Sequence, residues 1–183
     1  MQFIPQKIPE IILITPKIIS DKRGYFLESF RQDLLKEFLN SEINFIQDNE
    51  SKSPFGVLRG LHYQIPPYAQ NKLVKVISGS VLDVVVDIRK NSETFGQHLG
   101  IELNSQDKNQ LFIPKGFAHG FVVLSSEAIF SYKVDELYKP ELERGIIYND
   151  DTLEIDWQLN YSEFNLSEKD KKLPKFLELP SPF

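Results

Sequence analysis

The sequence predicts an all-β barrel or sandwich with short peripheral helices, and three observations carry that expectation. Short runs rich in β-branched residues follow one another through the centre of the chain, each bounded by turn residues. Eleven prolines and nine glycines are scattered as punctuation rather than gathered in a linker. No long helical patterns alternate with the strand runs, as a parallel βαβ sheet would require. With 183 residues, 41% of them apolar, the chain is long enough to bury a core and is taken as one domain over 1–183.

In chain order, FRQDLLKEFLN is the one helix of the N-terminal half. Phe30, Leu34, Leu35, Phe38 and Leu39 recur at helical spacing against charged Arg31, Asp33, Lys36 and Glu37, and Asn40 is placed to end it. LVKVISGSVLDVVVDIR then holds two strand runs broken by Ser78-Gly79-Ser80, which reads as a hairpin. In its second run Leu82, Val84, Val86 and Ile88 share one face, assigned to the core. Asp83 and Asp87 share the other, directed to solvent or into a lumen. HLGIELN, QLFIP, FAHGFVVLS and AIFSYKVD are further short strands, at a spacing that suits a sandwich or barrel. The C-terminal third is more polar, with short helical signals in YSEFNLSEKDKKL; Ser167 and Asp170 there fit a capping box.

A net charge of -5 argues against a broad basic surface for nucleic acid, though a few convergent Lys and Arg side chains still suffice for a phosphate. The absence of cysteine excludes disulfides, thiolate metal sites and a cysteine nucleophile together. No apolar run approaches the roughly 20 residues that cross a bilayer, and MQFIPQKIPEIILITP lacks a secretory pattern, so the expectation is a cytoplasmic protein without a membrane partner.

The histidines are His62, His98 and His119. Histidines on two strands of a small barrel raise the possibility of a cupin, a double-stranded β-helix (jelly-roll barrel) that often holds a metal, and Pro114 to His119 partly matches its second motif. The first motif would want two histidines one residue apart; here His62 is followed at that spacing by Gln64, with a lysine, Lys72, further along. A first-row catalytic metal generally needs three good protein ligands, and a lysine cation among them opposes a divalent ion. The expected barrel is metal-free.

The stretches DKRGYFLESF (21–30), QDNESKSPFGVLRGLHYQIPPYAQNKLVKV (47–76), GSVLDVVVDIR (79–89), IPKGFAHGFVVLS (113–125), YKVDELY (132–138) and LSEKD (166–170) resemble, in family order and over nearly the whole chain, the dTDP-4-dehydrorhamnose 3,5-epimerases. These are metal-free cupin enzymes that act on a nucleotide-linked 4-keto-6-deoxyhexose. The resemblance implies inversion at C3 and C5, both α to the ketone. Each inversion needs a base on one face, an acid on the other and positive charge near the C4 oxygen, with no cofactor.

By that resemblance His62 is the base, an imidazole titrating near ~6.5 when unperturbed. Asp170 pairs with it, Lys72 stabilises the enolate oxygen, and Tyr132, a phenol with an ordinary pKa near ~10, is the acid. Substrate-binding positions carried over are Arg23, Glu28, Gln47, Asn49, Arg59, Lys72, His119, Tyr138, Glu143 and Lys169. Arg23, Glu28, Gln47 and Asn49 would be presented across a homodimer interface, and Tyr138 would stack on the base. Viewed singly the residues allow plainer readings: Lys72 a strand lysine facing solvent, Asp170 a helix cap, Tyr132 a packed aromatic. Asp83 is by default an exposed acid, or else an acceptor that orients Lys72 or His119. Departures from the family pattern fall at Ile19, at Tyr148-Asn149-Asp150-Asp151 and at Gln158 after Trp157. A C3-only epimerase, an epimerase of another nucleotide-linked keto sugar, a metal-dependent oxygenase and a non-catalytic sugar-binding barrel are the competing functions.

Overall fold

The computed structural model describes residues 1–179 and 183. The chain opens with the paired strands β1 (Gln2–Pro5) and β2 (Ile12–Thr15). A separate small hairpin follows, β3 (Ile19–Asp21) with β4 (Gly24–Phe26), then the helix α1 (Gln32–Leu39). The main wrap runs through β5 (Gln47–Pro54), β6 (Leu58–Gln64), β7 (Lys72–Ser78), β8 (Ser80–Asp87), β9 (His98–Asn104), β10 (Gln110–Ile113), β11 (Phe117–Val123) and β12 (Glu127–Val134), and ends on β13 (Glu143–Gly145). Two sheets result, ordered β1-β2-β10-β7-β12-β5 and β13-β6-β11-β8-β9. From β5 to β12 the chain changes sheet at every step except the β8–β9 hairpin. This is the cupin jelly roll that the Pro114–His119 motif and the family resemblance implied, within the barrel or sandwich that the strand pattern predicted.

Alternation along the strands fills three apolar layers. Val74, Val76, Leu111, Ile113 and Phe130 from one sheet meet Val81, Val85, Leu103, Phe121 and Val123 from the other in the barrel interior. Outside the five-stranded sheet, Leu82, Val84, Val86 and Ile88 pack on Leu153, Ile155, Trp157 and Phe176 of the C-terminal segment. Outside the six-stranded sheet, Ile12, Ile14, Leu73 and Phe112 are covered by Leu35 of α1, with Phe30 and Leu39 beside it. The helix ends at Asn40, as its sequence predicts, in the left-handed conformation (φ 47°) with its N–H bonded to Glu37 O.

Two sequence expectations are corrected. Ser78-Gly79-Ser80 is a passage between sheets and not a hairpin, for β7 pairs with β10 and β12 while β8 pairs with β9 and β11. The backbone groups that would close a hairpin are taken elsewhere: Ser80 N–H donates to Ser125 Oγ (2.9 Å), and Ser80 O accepts from Leu124 N–H (3.0 Å). Gly79 is held at φ +81°, where an added Cβ would lie 2.2 Å from Glu127 O. The second correction concerns Asp83, which is fully buried in the interior and not exposed.

Candidate active site

Strand parity decides which polar side chains enter the barrel. On β7, Val74 and Val76 point inward and Leu73 outward, so Lys72 points inward too, against the solvent-facing alternative. On β12 Tyr132 follows Phe130, and on β11 His119 precedes Phe121 at the same two-residue interval. Arg59 and His62 lie three apart on β6, a spacing that regular pleating would send to opposite faces. An irregularity in the β6–β11 ladder resolves this: His119 stands opposite His62, but Phe121 stands opposite Arg59. Gly60 lies at that point with φ +122°, and a Cβ there would sit 2.6 Å from Gly120 Cα.

The result is a cavity of about 660 Å³ into which His62, Lys72, Tyr132, Asp170, Arg59 and His119 all project. Asn49, Tyr138, Glu143 and Lys169 also line it, with Gln64 and Gln70 among its further polar residues. Arg23, Glu28 and Gln47 are not brought there within this chain. Arg23 is on the exposed turn between β3 and β4, paired with Asp21; Glu28 pairs with Arg31; Gln47 donates to Asn49 Oδ1 at 2.8 Å. Ile19, one of the departures, lies on the same hairpin, away from the cavity.

His62 Nε2 lies 2.7 Å from Asp170 Oδ1. Burial pushes the Asp170 carboxyl up, yet the bonds from His62 and Ser167 and the nearby His62 and Lys169 charges outweigh it and leave the group below its usual range. Ser167 Oγ accepts the Asp170 N–H (3.1 Å), so half of the capping box forms while the carboxylate turns to the histidine. The other imidazole nitrogen, Nδ1, is 4.0 Å from Glu143 Oε1. Glu143 also accepts bonds at Oε2 from Lys169 Nζ and from the Tyr138 hydroxyl (2.8 Å). Those bonds, with His62 nearby, overcome the burial that pushes Glu143 up, and its pKa is lowered; the bond to Glu143 in turn pushes the Tyr138 phenol up to about 12.

Lys72 Nζ donates to the backbone carbonyl of His62 (3.2 Å). Burial pushes its pKa down to about 8, opposed by the charges of Asp83 and Glu143. Tyr132 is raised by burial and by Glu143, against the pull of Arg59, and Arg59 is steadied by two bonds to Ser53 Oγ at 3.0 and 3.2 Å. Burial lowers His119, against the pull of Asp83. The imidazole is therefore neutral near pH 7, and its Nε2–H donates to Asp83 Oδ2 at 2.8 Å. The Asp83 reading as an acceptor that orients His119 thus fits the structure. Its buried Oδ1 has no hydrogen-bond partner among the described residues.

Ser53 and Ser167, which hold Arg59 and Asp170, had no signal strong enough to single them out as site residues. Among the described residues no three His, Cys, Asp or Glu side chains gather in a metal-binding group.

A base with a carboxylate partner, a protonated phenol and a buried ammonium in one cavity can enolise and reprotonate a carbon acid next to a ketone. The family profile described as dTDP-4-dehydrorhamnose 3,5-epimerase matches residues 5–178. The chain belongs to that family. The dTDP-4-dehydrorhamnose 3,5-epimerase of Shigella flexneri is 48% identical over 178 residues, 97% of each chain. Among solved structures, the Legionella pneumophila dTDP-6-deoxy-D-glucose-3,5-epimerase in complex with dTDP-4-keto-L-rhamnose superposes with a TM-score of 0.94. It is 47% identical, over 98% of this chain and 94% of that one. The Bacillus anthracis dTDP-4-dehydrorhamnose 3,5-epimerase with TDP and PPi bound gives a TM-score of 0.90 at 42% identity, over 95% of this chain and 98% of that one. All six stretches that carried the resemblance to this epimerase family lie within the matched residues.

Proposed function

We propose that this chain, as one cupin-like domain over 1–183, converts dTDP-4-dehydro-6-deoxy-D-glucose to dTDP-4-dehydro-L-rhamnose by epimerising C3 and C5, in dTDP-L-rhamnose biosynthesis. The observation that carries the reading is the placement of acid and base on opposite sheets. His62 comes from β6 of one sheet, Tyr132 and Lys72 from β12 and β7 of the other, and all three face one cavity.

With Nε2–H donated to Asp170, His62 keeps Nδ1 bare, and Nδ1 is the atom that takes the proton from C3 or C5. The imidazolium then stands between the Asp170 and Glu143 carboxylates. Charge developing on the C4 oxygen meets the Lys72 ammonium. Tyr132 delivers a proton to the opposite face of the enolate, and its raised pKa keeps it protonated until that moment. One proton goes onto His62 and one leaves Tyr132, so each inversion ends with a proton returned from base to acid through solvent. Arg59 and His119 serve the substrate and its diphosphate, and Tyr138 the base.

The deciding experiment is proton NMR of the dTDP-linked 4-ketosugar with the purified protein in D2O. Loss of both the C3 and C5 hydrogen signals is expected; loss at C3 alone would reduce the activity to a single epimerisation, and no exchange would remove the substrate assignment. In the same assay Tyr132→Phe should keep exchange at one carbon while leaving inversion incomplete. Wild-type product from that variant would put the acid elsewhere.

Arg23, Glu28 and Gln47 stand outside the cavity beside exposed Ile19, Tyr25, Phe26 and Ile46, a patch suited to a second copy. The reading is a homodimer in which these residues reach the partner's nucleotide site. Sedimentation should give twice 21.2 kDa, and a monomer at assay concentration would contradict the shared site. No helix among the described residues is long and apolar enough to cross a membrane. The reading taken with a nucleotide-sugar substrate is a cytoplasmic enzyme.

A further inference from the structure

Tyr138 and its neighbour Leu137 are half-exposed, on the loop between β12 and β13. Such a loop would ordinarily leave its tip free to move. Here it is held from the β6 end and the segment after it, through the Asp135 carboxylate and then through the backbone of Glu136, Leu137 and Lys139. Asn71 donates its N–H and Nδ2 to the two oxygens of Asp135 (2.7 and 2.6 Å), and Gln70 Nε2 donates to Glu136 O (2.8 Å). The next two anchors come from one side chain: Gln64 Nε2 donates to Leu137 O (3.2 Å), and Gln64 Oε1 accepts the Lys139 N–H. The same Nε2 also donates to Tyr68 O (2.7 Å). Gln64 thus holds the residue before Tyr138 and the residue after it, and it is only 3% exposed. A buried amide is tolerated only when bonded, and this one uses both donors and its acceptor.

We propose that Gln64 is the positioning residue that fixes Tyr138, and through it Glu143, for recognition of the nucleotide. It occupies the strand position where a metal-holding barrel would carry a second histidine, and it has become a loop anchor instead. The connection to the chemistry is short. Tyr138 hydroxyl bonds Glu143, Glu143 stands opposite Gln64 in the β6–β13 ladder, and Glu143 Oε1 is 4.0 Å from His62 Nδ1. The inference rests on the proposed reading of Tyr138 as the base-stacking residue.

The test compares wild type, Gln64→Leu and Gln64→Glu in dTDP binding by calorimetry, in steady-state kinetics and in amide exchange. Binding of dTDP by wild type tests the reading of the site itself, whatever the variants do. Gln64→Leu is expected to weaken dTDP binding and raise KM together by about tenfold, the scale of one lost hydrogen-bonding group, with kcat within about twofold and faster exchange at Lys139 N–H. Gln64→Glu keeps the size and the acceptor but sets a carboxylate against two carbonyls, and serves if the leucine variant does not fold. It should raise KM in the same sense while retaining more Lys139 protection than leucine. Unchanged dTDP affinity in a folded variant, or a loss confined to kcat, would overturn the proposal.

Discussion

His62→Ala is expected to lower kcat by about 1,000-fold or more, toward the upper end of what general acid–base catalysis contributes, while the barrel stays folded. The side chain lines the cavity and belongs to none of the apolar clusters, so its loss opens space already open to solvent. The cost to stability comes through Asp170. That carboxylate is 4% exposed, and His62 is the largest influence opposing the effect of its burial. Without the imidazole the group is a buried carboxylate short of a donor, a deficit of about 1–3 kcal/mol. The pH dependence has a definite sign. A carboxyl whose folded pKa is depressed contributes stability above its unfolded pKa and loses it as pH falls through the folded value. The variant should therefore lose stability at neutral pH and show a shallower acid limb than wild type. NMR turnover assays with thermal melts at pH 7 and pH 4 check both parts. Turnover within tenfold of wild type would take the base role away from His62.

An all-β barrel or sandwich was legible because short β-branched runs and turn residues are local signals, and α1 because its stripe and its left-handed cap are local too. The jelly-roll form came from the Pro114–His119 motif and the family resemblance. The path of the chain was less so. Ser78-Gly79-Ser80 has the composition of a hairpin turn, and only the tertiary partners of Ser80, Ser125 and Leu124, carry β8 into the other sheet. The outer face of β8 is apolar because residues some 70 positions later cover it, so both faces of that strand are buried and Asp83 is buried with them. Lys72 was open to a correct parity argument through Val74 and Val76, but nothing local says which face of β7 is the lumen. His62 with Asp170 depended on the resemblance, since a contact across 108 residues leaves no trace in spacing. Gln64 stood out only as a missing histidine; its three bonds are to backbone atoms, which sequence does not individualise.

The second large effect is at Lys72. Lys72→Ala should lower kcat by about 100- to 1,000-fold, the scale for removing one stabiliser of a developing oxyanion. Its pH signature separates it from the base. Burial holds the ammonium at about 8, so in the free enzyme the cation is lost as pH rises through that value. The alkaline limb of kcat/KM should fall there. Tyr132 adds nothing in that window, because its pKa is raised above the ordinary phenol range. The groups facing Lys72 set its position: Asp83 and Glu143 draw the pKa up, while a charged His62 or His119 would draw it down. Stability has the opposite slope. Between about 8 and the unfolded value near ~10.4 the unfolded chain binds more protons than the folded one at this site, so this group's contribution makes the fold more stable as pH rises. Activity should thus decline with increasing pH where the Lys72 contribution to stability improves, which distinguishes titration of the site from alkaline unfolding. Lys72→Arg keeps a charge that does not titrate in this range. With a bulkier head its rate should drop, but its alkaline limb near 8 should vanish. Retention of that limb in the arginine variant would assign the titration to another group and leave the enolate oxygen without its proposed cation.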